Sequence, residues 1–200
     1  SRMHDISCLM RIIKQRFTRW YNQSYAAFGT IWADWFKSFL VEGSPFALKT
    51  VAAYIDLNAV RAGMVEDPKD YRFCGYGEAM GGGRAARAGL RIVDNCMAGY
   101  RQTLYGKGSA GKQGKMAISR EEALRVLRQE RGKLPLADVL RCRVRYFSQG
   151  IAIGSSQFVQ ECRRAENPPE CRAVRKPHAM QGADWNGLCV GTGLRKDLFG

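Results

Sequence analysis

The sequence predicts an α+β chain, and three observations carry that expectation. Apolar residues recur at helical spacing through much of the first half, one aromatic and β-branched run partly alternates, and the second half reads as a series of short basic helices. From Ile6 to Tyr25 the apolar positions are Ile6, Leu9, Met10, Ile13, Phe17, Trp20 and Tyr21, while Arg11, Lys14, Arg16 and Arg19 fill the other faces. This is the pattern of an amphipathic helix with a basic side. Gly29 breaks it. Thr30 to Val41 suits a strand, because its side chains fit a pleated surface better than a helix. Glu42, Gly43, Ser44 and Pro45 end that strand.

A second helix is expected from Pro45, favoured in a first turn, to Ala62, with Gly63 as its stop. At about 100° per residue, Leu48, Ala52, Ile55, Ala59 and Ala62 form one apolar stripe. Tyr54, Asn58 and Arg61 fall on a neighbouring stripe, since residues three and four apart share a face. Glu66 to Asp70 reads as a turn, Gly81 to Gly83 as a flexible link, and Arg84 to Tyr105 as a helix.

The run Gly106 to Gly114 has the composition of a linker. Ser119 with Glu122 makes a capping-box start for a helix to Arg131. Leu134 to Phe147 continues as a helix, with Arg141, Arg143 and Arg145 between its apolar residues. A turn at Gly150 to Gly154 precedes a third helix, Ser155 to Arg164, an order similar to a helix-turn-helix. After Glu166 the proline-interrupted sequence is expected to be irregular. These signals divide the chain into residues 1–83, a link of residues 84–118, and a basic helical region of residues 119–200 expected to bind DNA.

Hydrophobic residues make up 46% of the 200, enough for a real core. A formal charge of +14 favours a polyanionic partner, nucleic acid or an anionic membrane surface. The first 80 residues hold 10 basic and 8 acidic side chains and the remainder 22 and 10, so the second half supplies most of the attraction. No apolar run approaches the roughly 20 residues a spanning helix needs, and no stretch is laid out as a signal peptide. A soluble, cytoplasmic protein is the expectation. Seven scattered cysteines without a C-x-x-C pair argue against a disulfide framework or a zinc site, and read as reduced thiols, several of them buried.

The segment Tyr54-Ile55-Asp56-Leu57-Asn58-Ala59-Val60-Arg61-Ala62-Gly63, followed by Val65 to Arg72, resembles the tyrosine helix of HUH-type single-tyrosine transposases, in the branch of REP-associated tyrosine transposases. Leu9 to Asn22 and Gly29 to Glu42 resemble that family's preceding helix and following strand, so the resemblance covers Ser1 to about Gly81. It implies the C-terminal part of an antiparallel-sheet domain that cuts and rejoins single-stranded DNA near hairpins. Tyr54 would be the nucleophile, leaving a 5′-phosphotyrosine and a free 3′ hydroxyl. It also implies Mg²⁺ or Mn²⁺, held by a His-x-His strand with Asn58 as third ligand or close supporter, and a homodimer. An amide oxygen suits either ion.

The sequence has only His4 and His178, so that metal site is incomplete and the chain as it stands is expected to be inactive. In the family the pair lies upstream of the helix that begins this sequence, so the resemblance implies that it precedes Ser1. Arg61 either holds a DNA phosphate or is solvated. Arg16, Arg19 and Trp20, and Trp35 and Lys37, interleave cations with rings, which suits single-stranded DNA and equally a core with a wet face. Tyr54 equally fits a packing role and Asn58 a helix-interior amide. Three functions therefore stand open: a DNA-nicking and strand-transferring enzyme, a DNA-binding remnant without cleavage, and a basic RNA-binding or structural protein.

Overall fold

The computed structural model describes residues 5–33, 36–106, 133–166 and 176–191. Packing divides the chain into two compact units, Ser1–Ser38 and Phe39–Gly200.

In the first unit, helix α1 spans Ile6–Tyr25. The Asp5 carboxylate caps it by accepting from the Ser7 and Cys8 amides at 2.9 and 3.1 Å, which satisfies donors the helix leaves open. Ala26 ends it in the left-handed region, at φ 49°. The chain then turns back along the helix. The Trp32 indole donates to Thr18 Oγ1 at 2.9 Å, and its ring meets Phe17 at 5.7 Å between centroids. No residue of α1 is buried.

The strand expected over Thr30 to Val41 is a correction. Among the described residues of that stretch only Leu40–Val41 is a strand, β1, and residues 30–33 and 36–39 are irregular. Trp32 has left the sheet-forming pattern to pack on α1, a tertiary preference that overrides β propensity.

The second unit opens with β1 and continues with α2, Pro45–Asp56, and α3, Asn58–Arg61. The expected helix from Pro45 to Ala62 is thus nearly continuous, bending at Leu57, whose ψ of 0° departs from helix geometry. Leu57 still donates to Ala53 O and accepts from Arg61 N, both at 3.0 Å. Gly63 stops the helix at φ 68°. Its amide bonds Val60 O, and the Met64 amide bonds Ala59 O, a Schellman arrangement.

The buried face of this helix is Ala47, Thr50, Val51, Ala53, Asp56, Leu57 and Ala59, and not the stripe counted from Leu48. Ile55 is 60% exposed. Ala47, Thr50, Val51, Ala53 and Leu57 share one face of an ideal wheel, so packing has selected a different face of the same helix, with Tyr54 at its centre.

A 3₁₀ turn at Pro68–Asp70 leads to α4, Gly75–Met80, then α5, Arg84–Val93, and α6, Met97–Tyr105. The single helix expected over Arg84 to Tyr105 is therefore two, separated where Asp94 adopts extended geometry. Helices α7, Leu136–Arg141, and α8, Tyr146–Gln149, replace the one expected over Leu134 to Phe147. The predicted helix Ser119 to Arg131 lies outside the described residues.

Gly150 to Gly154, expected as a turn, contains strand β2, Ala152–Gly154, which leads into α9, Ser156–Glu166. A strand rather than a tight turn thus precedes this helix, unlike a helix-turn-helix. Strands β3, His178–Ala179, and β4, Cys189–Gly191, follow in sequence expected to be irregular. The four-stranded sheet is mixed, in the order β1-β2-β4-β3. Leu40 and Val41 pair parallel to Ala152 and Ile153, and the other two pairings are antiparallel. The chain is thus α+β, and its sheet is small and carries one parallel pair.

One core joins both sides of residues 106–114. Val51, Leu57, Tyr76, Tyr100 and Leu104 pack with Val139, Leu140, Phe147, Trp185 and Val190. The described parts of residues 133–191 accordingly belong to the same packing unit as α2. Glu42 ties β1 to the start of α9, accepting from Ser155 N at 2.8 Å and Ser155 Oγ at 2.6 Å. Among the described residues no helix is long and apolar enough to cross a membrane. Cys189 is the one buried cysteine among them, so the expectation of several is corrected.

Candidate functional site

Helices α2 and α3 bring Tyr54, Asn58 and Arg61 together at the edge of the core. Tyr54 is half-buried. Its ring stacks on Phe147 at 4.0 Å between centroids and 20° between planes, and the Arg61 guanidinium carbon lies 3.7 Å from the ring's other face. Its hydroxyl donates to the Val144 carbonyl at 3.4 Å, at the long end of hydrogen-bond distances.

Arg61 turns inward. It donates to Leu140 O at 2.8 Å and to Tyr54 O at 2.7 Å, and reaches Asn58 Oδ1 at 3.5 Å. Burial pushes its pKa below the usual arginine value, while nearby Tyr54 and Cys142 push the other way. The guanidinium thus stitches α2 and α3 to the end of α7. A solvated Arg61 does not describe this site, and a phosphate contact would compete with two carbonyls already bound.

Asn58 is exposed, and its side-chain oxygen faces a cation. The nearest carboxylate in sequence, Asp56, is buried and committed elsewhere. It accepts from Tyr76 N at 3.2 Å and from the Tyr100 hydroxyl at 2.6 Å. Among the described residues no three His, Cys, Asp or Glu side chains come together as metal ligands. Asn58 Oδ1 lies 3.5 Å from the Arg61 guanidinium, so a divalent cation there would need Arg61 to move aside and further oxygen or nitrogen ligands beside it.

The cations assigned to DNA fall in different settings. Arg16, Arg19 and Lys37 are exposed in the first unit. In the second, Arg143 is exposed and Arg145 half-buried. Arg141 is a correction: only 8% exposed, it donates to Leu104 O at 3.4 Å and faces the Tyr105 ring. It lies on the core side of α7, where it cannot reach a phosphate without unpacking.

A second polar cluster escaped the sequence reading. Beside the Asp56–Tyr100 pair, the Tyr105 hydroxyl donates to Asp67 Oδ1 at 2.5 Å, and the Tyr76 ring lies edge-on to Tyr105 at 6.3 Å. Burial pushes the pKa of both Tyr100 and Tyr105 up, and their carboxylate partners push it further, so both hydroxyls remain protonated donors. The one available signal was Asp56 itself, a carboxylate within an otherwise apolar helical stretch. No protein-family model, curated protein or solved structure matches the chain.

Proposed function

We propose that this chain is the tyrosine-helix part of a transposase acting on single-stranded or hairpin DNA, with Tyr54 as the group that attacks the backbone. The observation that carries the reading is the meeting of half-buried Tyr54 and Arg61 with exposed Asn58 in one cluster, within sequence blocks that resemble the family. In the step, the Tyr54 oxygen bonds to a backbone phosphorus as it gives up its proton. The bond from that phosphorus to the 3′ oxygen of the preceding nucleotide breaks, and that oxygen takes up a proton. The products are a 5′-phosphotyrosine and a 3′ hydroxyl.

A phenol with an ordinary pKa near 10 is a weak nucleophile at neutral pH, so position matters. Phe147 and Arg61 hold the ring, while the long bond to the Val144 carbonyl holds the hydroxyl only weakly. Strand transfer in this reading needs the His pair that these 200 residues lack, supplied by further polypeptide, and a second subunit as the family implies.

Binding of DNA without cleavage is the second reading. It is favoured by the double-sided packing of Tyr54, which would serve stability equally well. One experiment separates them. The protein, expressed with whatever coding sequence precedes Ser1 in frame, is incubated with a hairpin bearing a single-stranded flank in magnesium or manganese buffer. The first reading expects an intact-mass adduct on Tyr54 that Tyr54→Phe abolishes. Hairpin binding without an adduct supports the second, and preference for the matching RNA would overturn both.

A further inference from the structure

We propose that the apolar face of α1 is a docking surface for an anionic lipid bilayer, on which the helix lies without crossing. The inference rests on the Ser1–Ser38 unit alone and competes with the DNA reading for Arg16, Arg19 and Trp20. At about 1.5 Å per residue the helix is roughly 30 Å long. None of its residues is buried, and Ile6, Leu9, Ile13, Phe17 and Trp20 are each between 43% and 56% exposed. Single exposed apolar residues are ordinary; a continuous stripe along a whole helix is a surface that binds something.

The identity of the occupant follows from what borders the stripe. On an ideal helix, Leu9, Trp20, Ile13, Ile6, Phe17, Met10 and Tyr21 fill an arc of about 120°. Arg16 borders one side and Lys14, whose Nζ lies 4.9 Å from the Trp32 ring centroid, the other, with Arg11, Ile12 and Arg19 on the far face. No Asp or Glu occurs between Ile6 and Tyr25. A second copy of α1 would bring four more cations and no carboxylate to meet them.

Single-stranded DNA would match the charge but not the stripe. Phe17, Trp20 and Tyr21 lean on one another at 5.4 and 6.3 Å instead of standing apart to receive bases, and the half built from Ile6, Leu9 and Ile13 offers no ring at all. A bilayer surface accepts every part. Aliphatic side chains enter the acyl boundary, Trp and Tyr rings sit at headgroup level, and Lys and Arg reach lipid phosphates along the borders.

The test uses the 200-residue chain and its Leu9→Asp/Ile13→Asp variant, neither position being buried, with helix content checked by circular dichroism. Each is sedimented with vesicles of mixed phosphatidylglycerol and phosphatidylcholine, and with phosphatidylcholine alone. The expected result is binding to the anionic vesicles only, weakened roughly tenfold or more in the variant. Equal binding by the variant would mean that net charge alone attracts the chain, and would overturn the proposal. So would failure of the parent to bind, or a parent oligomer that the substitutions dissociate in sedimentation velocity.

Discussion

Arg61 shows how one side chain can decide what a site is for. Its guanidinium meets two backbone carbonyls and one ring face, so its removal leaves acceptors unsatisfied and the Tyr54 ring uncovered on one side. Arg61→Ala is predicted to lower stability by about 3 kcal/mol, read from urea unfolding. Arg61→Lys should recover only part, because an ammonium cannot span both carbonyls in one plane.

Asp67 makes a pH-dependent contribution with a definite sign. Burial pulls its pKa up, but the Tyr105 hydroxyl together with the Lys69 amide and ammonium pull harder, leaving it below the ordinary aspartate value. A depressed folded pKa gives stability that is complete above the unfolded value, near 3.9, and lost as pH falls through the folded one. Tyr105→Phe should therefore flatten the loss of stability below about pH 4, measured by unfolding across a pH series.

Among the elements, the contact of α4 with the preceding 3₁₀ turn depends on the absence of a side chain at one position. A Cβ at Gly77 would collide with the Tyr71 carbonyl oxygen and approach Pro68 O to 2.9 Å. Both obstacles are backbone and cannot swing aside. Gly77→Ala should cost about 2 kcal/mol, seen as a lower urea midpoint, whereas Gly89→Ala, in open space on α5, should not lower it.

The helices were legible because a 3.6-residue period, Pro45 and Gly63 are local signals, and α1, α2 and α9 stand close to where those signals put them. The strands were not. β2 and β4 have three residues each, too few to alternate, and exist because each supplies the other's hydrogen bonds. The misplaced stripe at Ile55 has a different origin: α2 carries apolar residues on two faces, and only tertiary packing decides that the face of Ala47, Val51 and Leu57 is the buried one.

For the whole molecule, the division at Ser38 carries a consequence for stability. Every residue of the main core lies at or beyond Phe39, and α1 adds none. A chain starting at Phe39 is predicted to unfold cooperatively with nearly the urea midpoint of the 200-residue protein. A midpoint drop of more than a small fraction would show that α1 stabilises the second unit.

The candidate site was half-legible at this scale. The spacing of Tyr54, Asn58 and Arg61 placed them together, but no local pattern reveals that Arg61 faces inward or that Arg141 is buried, because residues 79 and 37 positions away supply their carbonyls. Engagement of DNA by this basic chain is read out by a salt series. Binding of a DNA hairpin with single-stranded flanks is measured from about 50 to 200 mM salt beside its RNA counterpart. DNA is expected to be preferred, with an affinity that falls by roughly a hundredfold or more over that range, as several phosphate contacts require. An RNA preference, or no binding at the low-salt end, would contradict it.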